Sequence, residues 1–203
     1  MVYEIILQSL WLILPAYIAN GCAALLGGGT PIDFGKNYND GKRILGDGKT
    51  WRGLILGTLF GMIGGFGLSV AAKIIAPTEY NFIAFEKLDF TGFPIMIPIV
   101  FSICFGALFG DIVKSFFKRR RGIDRGKDWI PFDQIDFILG VLFLSFIVSF
   151  FLQIVNLTKG NWFFNTFSIW HIVFLLFITP FFHVLGNFLN NKRKYRAADK
   201  QVY

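Results

Sequence analysis

Charge is scarce in this chain, and cysteine is nearly absent. Only 16% of the 203 residues are Asp, Glu, Lys or Arg, and two are cysteine. Cys22 and Cys104 both fall inside apolar runs, where a small buried thiol is the expected state, so neither a disulfide nor a cysteine metal site is expected. Histidine is as rare, and His171 and His183 both lie in the last apolar run. There a ring facing a neighbouring helix is expected before a ligand. The chain has no polar stretch long enough for a separate soluble domain. It also lacks a basic segment ahead of its first apolar run, where Glu4 is the only charge. That run is too long for a secretory signal and is expected to be retained.

Apolar residues are abundant: 54% of the chain is hydrophobic and 26 residues are phenylalanine. Five stretches contain no Asp, Glu, Lys or Arg: residues 5–32, 53–72, 90–110, 137–158 and 160–191. Each reaches the roughly 20 residues that an α-helix needs to cross about 30 Å of hydrocarbon. The expectation is an all-α integral membrane protein of five transmembrane helices, forming a single domain over residues 1–203. Of the 20 basic residues, all but Lys73, Lys87 and Lys159 fall in the first loop, the third loop or the C-terminal tail. The positive-inside rule then places the N-terminus outside and the two charged loops and C-terminus in the cytoplasm.

In the first run Pro15 is expected to kink rather than end the helix, and Gly27-Gly28-Gly29 to stop it. The loop that follows alternates Asp33, Asp40 and Asp47 with Lys36, Lys42, Arg43 and Lys49. A plain polybasic lipid anchor would not want those carboxylates. Asp40-Gly41 and Asp47-Gly48 read as turns before they read as ligands. Trp51, where the loop meets the second run, is either an interfacial ring or a stacking surface for a base. Within that run Gly53, Gly57, Gly61 and Gly65 recur every fourth residue, a ridge along which another helix can approach closely. The connection from Lys73 to Phe90 reads as an ordinary interfacial link.

The densest charge lies between the third and fourth runs, in GDIVKSFFKRRRGIDRGKDWIPFDQID, residues 110–136. If the third helix continues past Gly110, Asp111, Ser115 and Lys118 share one face, with Arg119 close beside it. A carboxylate one turn from a hydroxyl and two turns from a cation suits a divalent metal beside a polyphosphate, because magnesium takes one or two carboxylates and fills its shell with phosphate and water. Pro131 fits an early position of the fourth helix. Asp133 in the first turn is favoured by the helix dipole. Asp136, one turn deeper, requires a cationic partner. Arg119, Arg120, Arg121, Arg125 and Lys127 provide countercharge for a triphosphate or an anionic lipid head group.

Gly110-Asp111, then Ser115-Phe116-Phe117-Lys118-Arg119, then Asp133-Gln134-Ile135-Asp136 resembles the signature of the membrane CTP-dependent phosphatidate cytidylyltransferase superfamily. Lys49-Thr50-Trp51-Arg52-Gly53 resembles a second element of that superfamily, in the right order and on the same membrane side. The bacterial and eukaryotic members carry a histidine and a glycine pair before the acids and an arginine after the first acid. Here Trp129-Ile130-Pro131-Phe132 and Gln134 stand in their place. With GGTPIDFGKN and DGKRILGDGKTWRG as well, the chain is similar over nearly its whole length to the archaeal branch, the CDP-archaeol synthases.

The resemblance implies an Mg2+-dependent CTP:lipid-phosphate cytidylyltransferase of the cell membrane with its active site on the cytoplasmic face. Its partners would be CTP and 2,3-di-O-geranylgeranylglyceryl phosphate, the products CDP-archaeol and pyrophosphate, and no nucleic acid would be involved. Asp111, Asp133 and Asp136 would hold the metal. Lys118 and Arg119 would take the outer phosphates, with Ser115 beside them. Lys49, Thr50 and Trp51 would close the site, and Asp33, Lys42 and Arg43 would lie near the lipid phosphate. The alternatives are a synthase acting on phosphatidate and a non-enzymatic anionic-lipid binder or transporter. A further rival is a CDP-alcohol phosphotransferase, whose motif is absent here, since Asp40-Gly41 is followed by Lys42-Arg43 without the acid series of that family.

Overall fold

A computed structural model describes residues 2–77, 88–124, 127 and 129–181. They form α1 (Val2–Leu26), α2 (Trp51–Ile75), α3 (Met96–Arg120), α4 (Phe132–Ile154), a short α5 (Trp162–Thr166) and α6, described over Ile169–Phe181. Among the described residues β-structure is limited to isolated bridges, Pro31 with Thr50 and Asn37 with Arg43. Helices α1 to α4 are each long and apolar enough to cross a membrane. The expected fifth run is divided: α5 ends at Thr166, Phe167 is extended, and α6 follows. Residues 182–203, with His183 and the basic tail, lie outside the described residues, as do Lys87 and Arg125.

Glycine sets how closely these helices approach. Gly53, Gly57, Gly61 and Gly65 of α2 are all buried, as the four-residue ridge predicts. A Cβ on Gly57 would stand 2.7 Å from the Ala19 carbonyl oxygen of α1, and one on Gly61 would stand 2.8 Å from both Ala19 Cβ and Cys104 Sγ. The ridge therefore meets α1 and α3 together. A second seam joins α3 to α4, where a Cβ on Gly106 would stand 2.7 Å from the Gly140 carbonyl oxygen. At Gly110 a Cβ would overlap the carbonyl oxygen of Asp136. Helix α3 is central, packing against α1, α2 and α4 and burying Ile99, Ile103, Cys104 and Ala107. Small side chains at these crossings allow the backbone contact that drives helix association where the hydrophobic effect is weak.

Local features follow the sequence closely, with one departure. The Cys104 thiol is buried and donates to the Pro15 carbonyl at 3.7 Å. The Ser168 N–H donates to His171 Nδ1 at 3.1 Å, which leaves Nε2–H to donate to Gln8 Oε1 of α1 at 3.0 Å. His171 thus ties α6 to α1. The departure concerns the end of the connection after α2, where Leu88 and Phe90 are buried in the core. Trp11 Nε1–H donates to the Leu88 carbonyl at 3.2 Å and the Ser69 hydroxyl to that of Asp89 at 2.8 Å. With those carbonyls satisfied by side chains of α1 and α2, irregular backbone can enter the bundle.

Candidate active site

The loop between α1 and α2 is organised by one carboxylate. Asp33 accepts from Arg43 Nη2 at 2.8 Å and from the backbone N–H groups of Gly35, Leu45 and Gly46 at 3.1, 2.9 and 3.0 Å. Burial alone would push this carboxyl upward. The Arg43 bond and the three N–H donors outweigh it and hold the group well below the usual carboxylate range. Arg43 also pairs with Asp47 at 2.7 Å, and its two carboxylate partners raise its own already high pKa. Asp40 forms the expected turn, accepting from the Lys42 N–H at 3.0 Å, with Gly41 at φ +74°. Thr50 ends the loop as the N-cap of α2, its hydroxyl accepting from Gly53 N–H at 3.1 Å and from Gly28 N–H at 3.2 Å. Thr50 therefore joins both edges of the loop.

Arg120 holds this loop against the end of α3. Its guanidinium pairs with Asp40, donates to the carbonyls of Lys42 and Arg43, and lies 4.7 Å from the centroid of the Tyr38 ring. That docking brings Lys49, the last residue before Thr50, to Asp111 of α3, where it donates to Oδ2. The α3/α4 glycine seam does the rest. Helix α3 runs unbroken through Gly110 to Arg120, and α4 begins beside it with Pro131 at the N-cap. Backbone contact at Gly110 sets Asp111 next to Asp136 and Asp133.

The three carboxylates meet on one ammonium. Lys114 Nζ lies 3.1 Å from Asp111 Oδ1, 3.1 Å from Asp133 Oδ1 and 3.0 Å from Asp136 Oδ2. Lys118 Nζ lies 2.6 Å from Asp133 Oδ2, which also accepts from the Trp129 N–H at 2.6 Å. Three formal negative charges thus face Lys49, Lys114 and Lys118, a balanced cluster in which the Asp133 and Asp136 side chains are only 8% and 7% exposed. Such balance lets carboxylates persist at a membrane boundary.

The cationic partner that Asp136 requires is Lys114, in sequence only one of several basic residues between the third and fourth apolar runs. Its spacing was the available signal, because Lys114 stands three residues after Asp111 on the same helical face. Among the described residues no group of three or more His, Cys, Asp or Glu side chains is arranged to hold a metal ion. The Lys114 ammonium fills the point on which the carboxylates converge. The donor set nevertheless fits a hard divalent cation, since all three groups offer carboxylate oxygens. Asp133 Oδ1 is also buried without a hydrogen bond of good geometry.

Other expected site residues are distributed around this cluster. Consecutive helix positions diverge by about 100°, and Lys118 and Arg119 do not converge. Arg119 turns to the loop, donating to the carbonyls of Leu45 and Ile123. With Lys42, Arg43, Asp47 and Asp124 it lines a cavity of about 400 Å3 that carries three cations and two carboxylates. The Ser115 hydroxyl donates to the Asp111 carbonyl at 2.8 Å and so faces back along its own helix. Trp51 is 41% exposed at the start of α2, its ring 6.4 Å from that of Phe34. Lysine and arginine side chains of this kind, grouped at the end of α3 and in the first loop, are the donors that phosphate oxygens accept from.

Known proteins resemble this chain over its full extent. Residues 2–202 match the CarS-like family, described as CDP-archaeol synthase. A protein of Methanocaldococcus jannaschii named CDP-archaeol synthase is 38% identical over 204 residues, covering 100% of this chain and 99% of that protein. One of the same name from Archaeoglobus fulgidus is 38% identical and covers 98% of each, and one from Methanocella arvoryzae is 44% identical over 88% of this chain and 95% of that protein. A solved structure of an intramembrane enzyme for archaeal membrane lipid biosynthesis superposes with a TM-score of 0.66 at 31% identity, covering 90% of this chain and 94% of that one. With whole-length family agreement joined to an intramembrane fold, the chain belongs to the CDP-archaeol synthase family.

Proposed function

We propose that this chain transfers CMP from CTP to 2,3-di-O-geranylgeranylglyceryl phosphate, forming CDP-archaeol and releasing pyrophosphate. The observation that carries the reading is the convergence of Asp111, Asp133 and Asp136 on one cation centre beside the docked first loop, in a chain of this family. An oxygen of the lipid phosphate attacks the α-phosphorus of CTP. A new P–O bond forms there as the bond to the bridging oxygen breaks, and pyrophosphate leaves with that electron pair. The nucleophile is already ionised at neutral pH, so no general base is required. The task is to bring two anions together, which is chiefly positioning and charge neutralisation.

Asp111, Asp133 and Asp136 would hold Mg2+. Bound there, Mg2+ would neutralise charge on the triphosphate oxygens. Lys49 and Lys118 each pair with one of these carboxylates and turn to phosphate oxygens when CTP is present. Arg119, Lys42 and Arg43 line a cavity between the first loop and the end of α3, which takes the remaining phosphate charge, and Trp51 offers an exposed ring at the start of α2 for the cytosine. In this reading Asp33 and Thr50 act by shaping the loop that carries Lys49. The whole chain acts as a single multi-pass domain. Helix α6, described over Ile169–Phe181, belongs to a fifth span, and both charged loops and the C-terminus face the cytoplasm, where CTP is found.

The deciding experiment uses purified full-length protein, Mg2+, labelled CTP and a panel of lipid phosphates. CDP-lipid and pyrophosphate should form in equal amounts, fastest with the unsaturated archaeal ether lipid. A preference for phosphatidate would move the chain to the diacyl reaction. No pyrophosphate with any lipid would overturn the enzymatic reading.

A further inference from the structure

The three arginines that end α3 point three ways. Arg119 donates to the carbonyls of Leu45 and Ile123, and Arg121 lies 4.8 Å from the centroid of the Trp129 ring. Arg120 reaches the tip of the first loop, residues 38–43. Its guanidinium pairs with Asp40 and donates to the Lys42 and Arg43 carbonyls. It also lies 4.7 and 5.2 Å from the ring centroids of Tyr38 and Phe116, which themselves meet edge to face. The exchange is reciprocal. Lys42 Nζ stands 3.5 Å from the Arg120 carbonyl oxygen, in the last turn of α3, where the helix dipole favours a cation. A Cβ on Gly122 would come within 3.1 Å of that ammonium, so the glycine leaves it room.

We propose that Arg120 is a positioning residue for CTP, acting through the loop rather than on phosphate. It holds the loop tip against α3, so that Lys42 and Arg43 stand opposite Arg119 across the cavity of about 400 Å3, which Arg120 itself does not line. This rests on the reading above, in which that cavity takes phosphate charge. The walls belong to separate elements and carry three cations, Lys42 and Arg43 on the loop and Arg119 on α3. Asp47 and Asp124 offset part of that charge. Like charges repel, so with no phosphate between them the walls stay together only where other contacts hold them. The bonds of Asp33 lie within the loop, and the Thr50 hydroxyl ties the loop base to α2. Arg119 adds one bond to the loop, at the Leu45 carbonyl 3.3 Å away. Arg120 supplies an ion pair and two carbonyl bonds from a side chain only 17% exposed, and its planar fork spans acceptors that a single ammonium could not. Walls already held in place spare CTP the cost of ordering them, which strengthens its binding.

Arg120→Gln and Asp40→Asn in the full-length protein, singly and together, test this. Asp40→Asn keeps an acceptor for the Lys42 N–H of the turn and removes the charge that Arg120 meets. Arg120→Gln should raise KM for CTP about tenfold, the scale of a lost charge-assisted contact, with kcat and KM for the lipid phosphate unchanged. Asp40→Asn should raise it less, and the double variant should match Arg120→Gln alone, because both act through one contact. With no substrate present, trypsin should cut after Lys42 faster in Arg120→Gln than in wild type, with the exposed Lys36 site as reference. A general loss of folding would instead lower kcat and speed both cuts alike. An unchanged KM for CTP, a loss confined to kcat, or additive effects of the two substitutions overturns the positioning role, as does equal cleavage after Lys42. If wild-type protein makes no CDP-lipid from any acceptor, the cytidylyl-transfer reading fails and the role toward CTP with it, while the trypsin comparison still decides whether Arg120 holds the loop.

Discussion

Lys114 Nζ lies 3.0 Å from Asp136 Oδ2, an ion pair at the membrane boundary with both side chains at most 15% exposed. The same ammonium touches Asp111 and Asp133, so the pair is the centre of a four-residue cluster. Replacing Lys114 with Met leaves three carboxylates facing one another with no cation between them. Removing one partner of a buried pair costs about 3–5 kcal/mol. In detergent without divalent ions, Lys114→Met should therefore melt well below wild type. Because its carboxylates are then open to a metal, added Mg2+ should restore far more of its Tm than it adds to wild type. Equal responses to Mg2+ in the two proteins would show that the ammonium and the metal do not share a centre.

The carboxylates themselves are tested by removing charge at constant shape. Asp111→Asn and Asp133→Asn should each lower CDP-lipid formation by about 10²- to 10³-fold, the scale of one lost electrostatic contact in a transition state. Both should remain folded and membrane-bound, as reported by size-exclusion chromatography in detergent. Near-wild-type turnover in either variant would remove that residue from the site.

The sequence revealed this cluster unevenly, for physical reasons. The ends of α3 and α4 could be read because charge density, proline and the apolar boundary coincide there, and the acids fall at helical spacing. Asp136's need for a cation was also evident, since an unpaired carboxylate at that depth is costly. The identity of the cation was not. A basic side chain is long enough to serve several sites, and Lys114 sits in a stretch that also holds Lys118, Arg119, Arg120 and Arg121. Arg120 shows the same difficulty, for nothing in a run of three arginines marks the one that docks the first loop through Asp40. The burial of Leu88 and Phe90 was hidden because it depends on side chains from α1 and α2, far away in sequence.

Gly110 precedes Asp111, and its lack of a side chain does as much for the site as the acid does. A methyl group there would overlap the Asp136 carbonyl oxygen, and both sides of that contact are helix backbone. Gly110→Ala must therefore push α4 away, at about 1–3 kcal/mol, and draw Asp133 and Asp136 away from Asp111. Lowered Tm with severe loss of turnover is expected. Gly67→Ala is the comparison, since a Cβ on Gly67 of α2 meets nothing within 4 Å. It should be neutral or stabilising by up to about 1 kcal/mol. Similar behaviour in the two variants would mean that the α3/α4 seam is not tight.

Asp33 offers a test of the loop that does not depend on the chemistry. Its carboxyl titrates below its unfolded-state value because ionisation is supported by Arg43 and three backbone N–H groups despite burial. A depressed folded pKa contributes stability that is complete above the unfolded value, near 3.9, and is lost as pH falls toward the folded value. At neutral pH, Asp33→Asn should loosen the loop by about 1–3 kcal/mol, the scale of charge-assisted hydrogen bonds lost from a buried group. Limited proteolysis between Thr30 and Thr50 reads this directly, with faster cleavage in the variant. The difference from wild type should hold from neutral pH down to about pH 4 and narrow below it, followed by an acid-tolerant protease. Loosening should also weaken delivery of Lys49 to Asp111, raising KM for CTP. A cleavage difference independent of pH would show that the carboxylate's charge does not hold the loop.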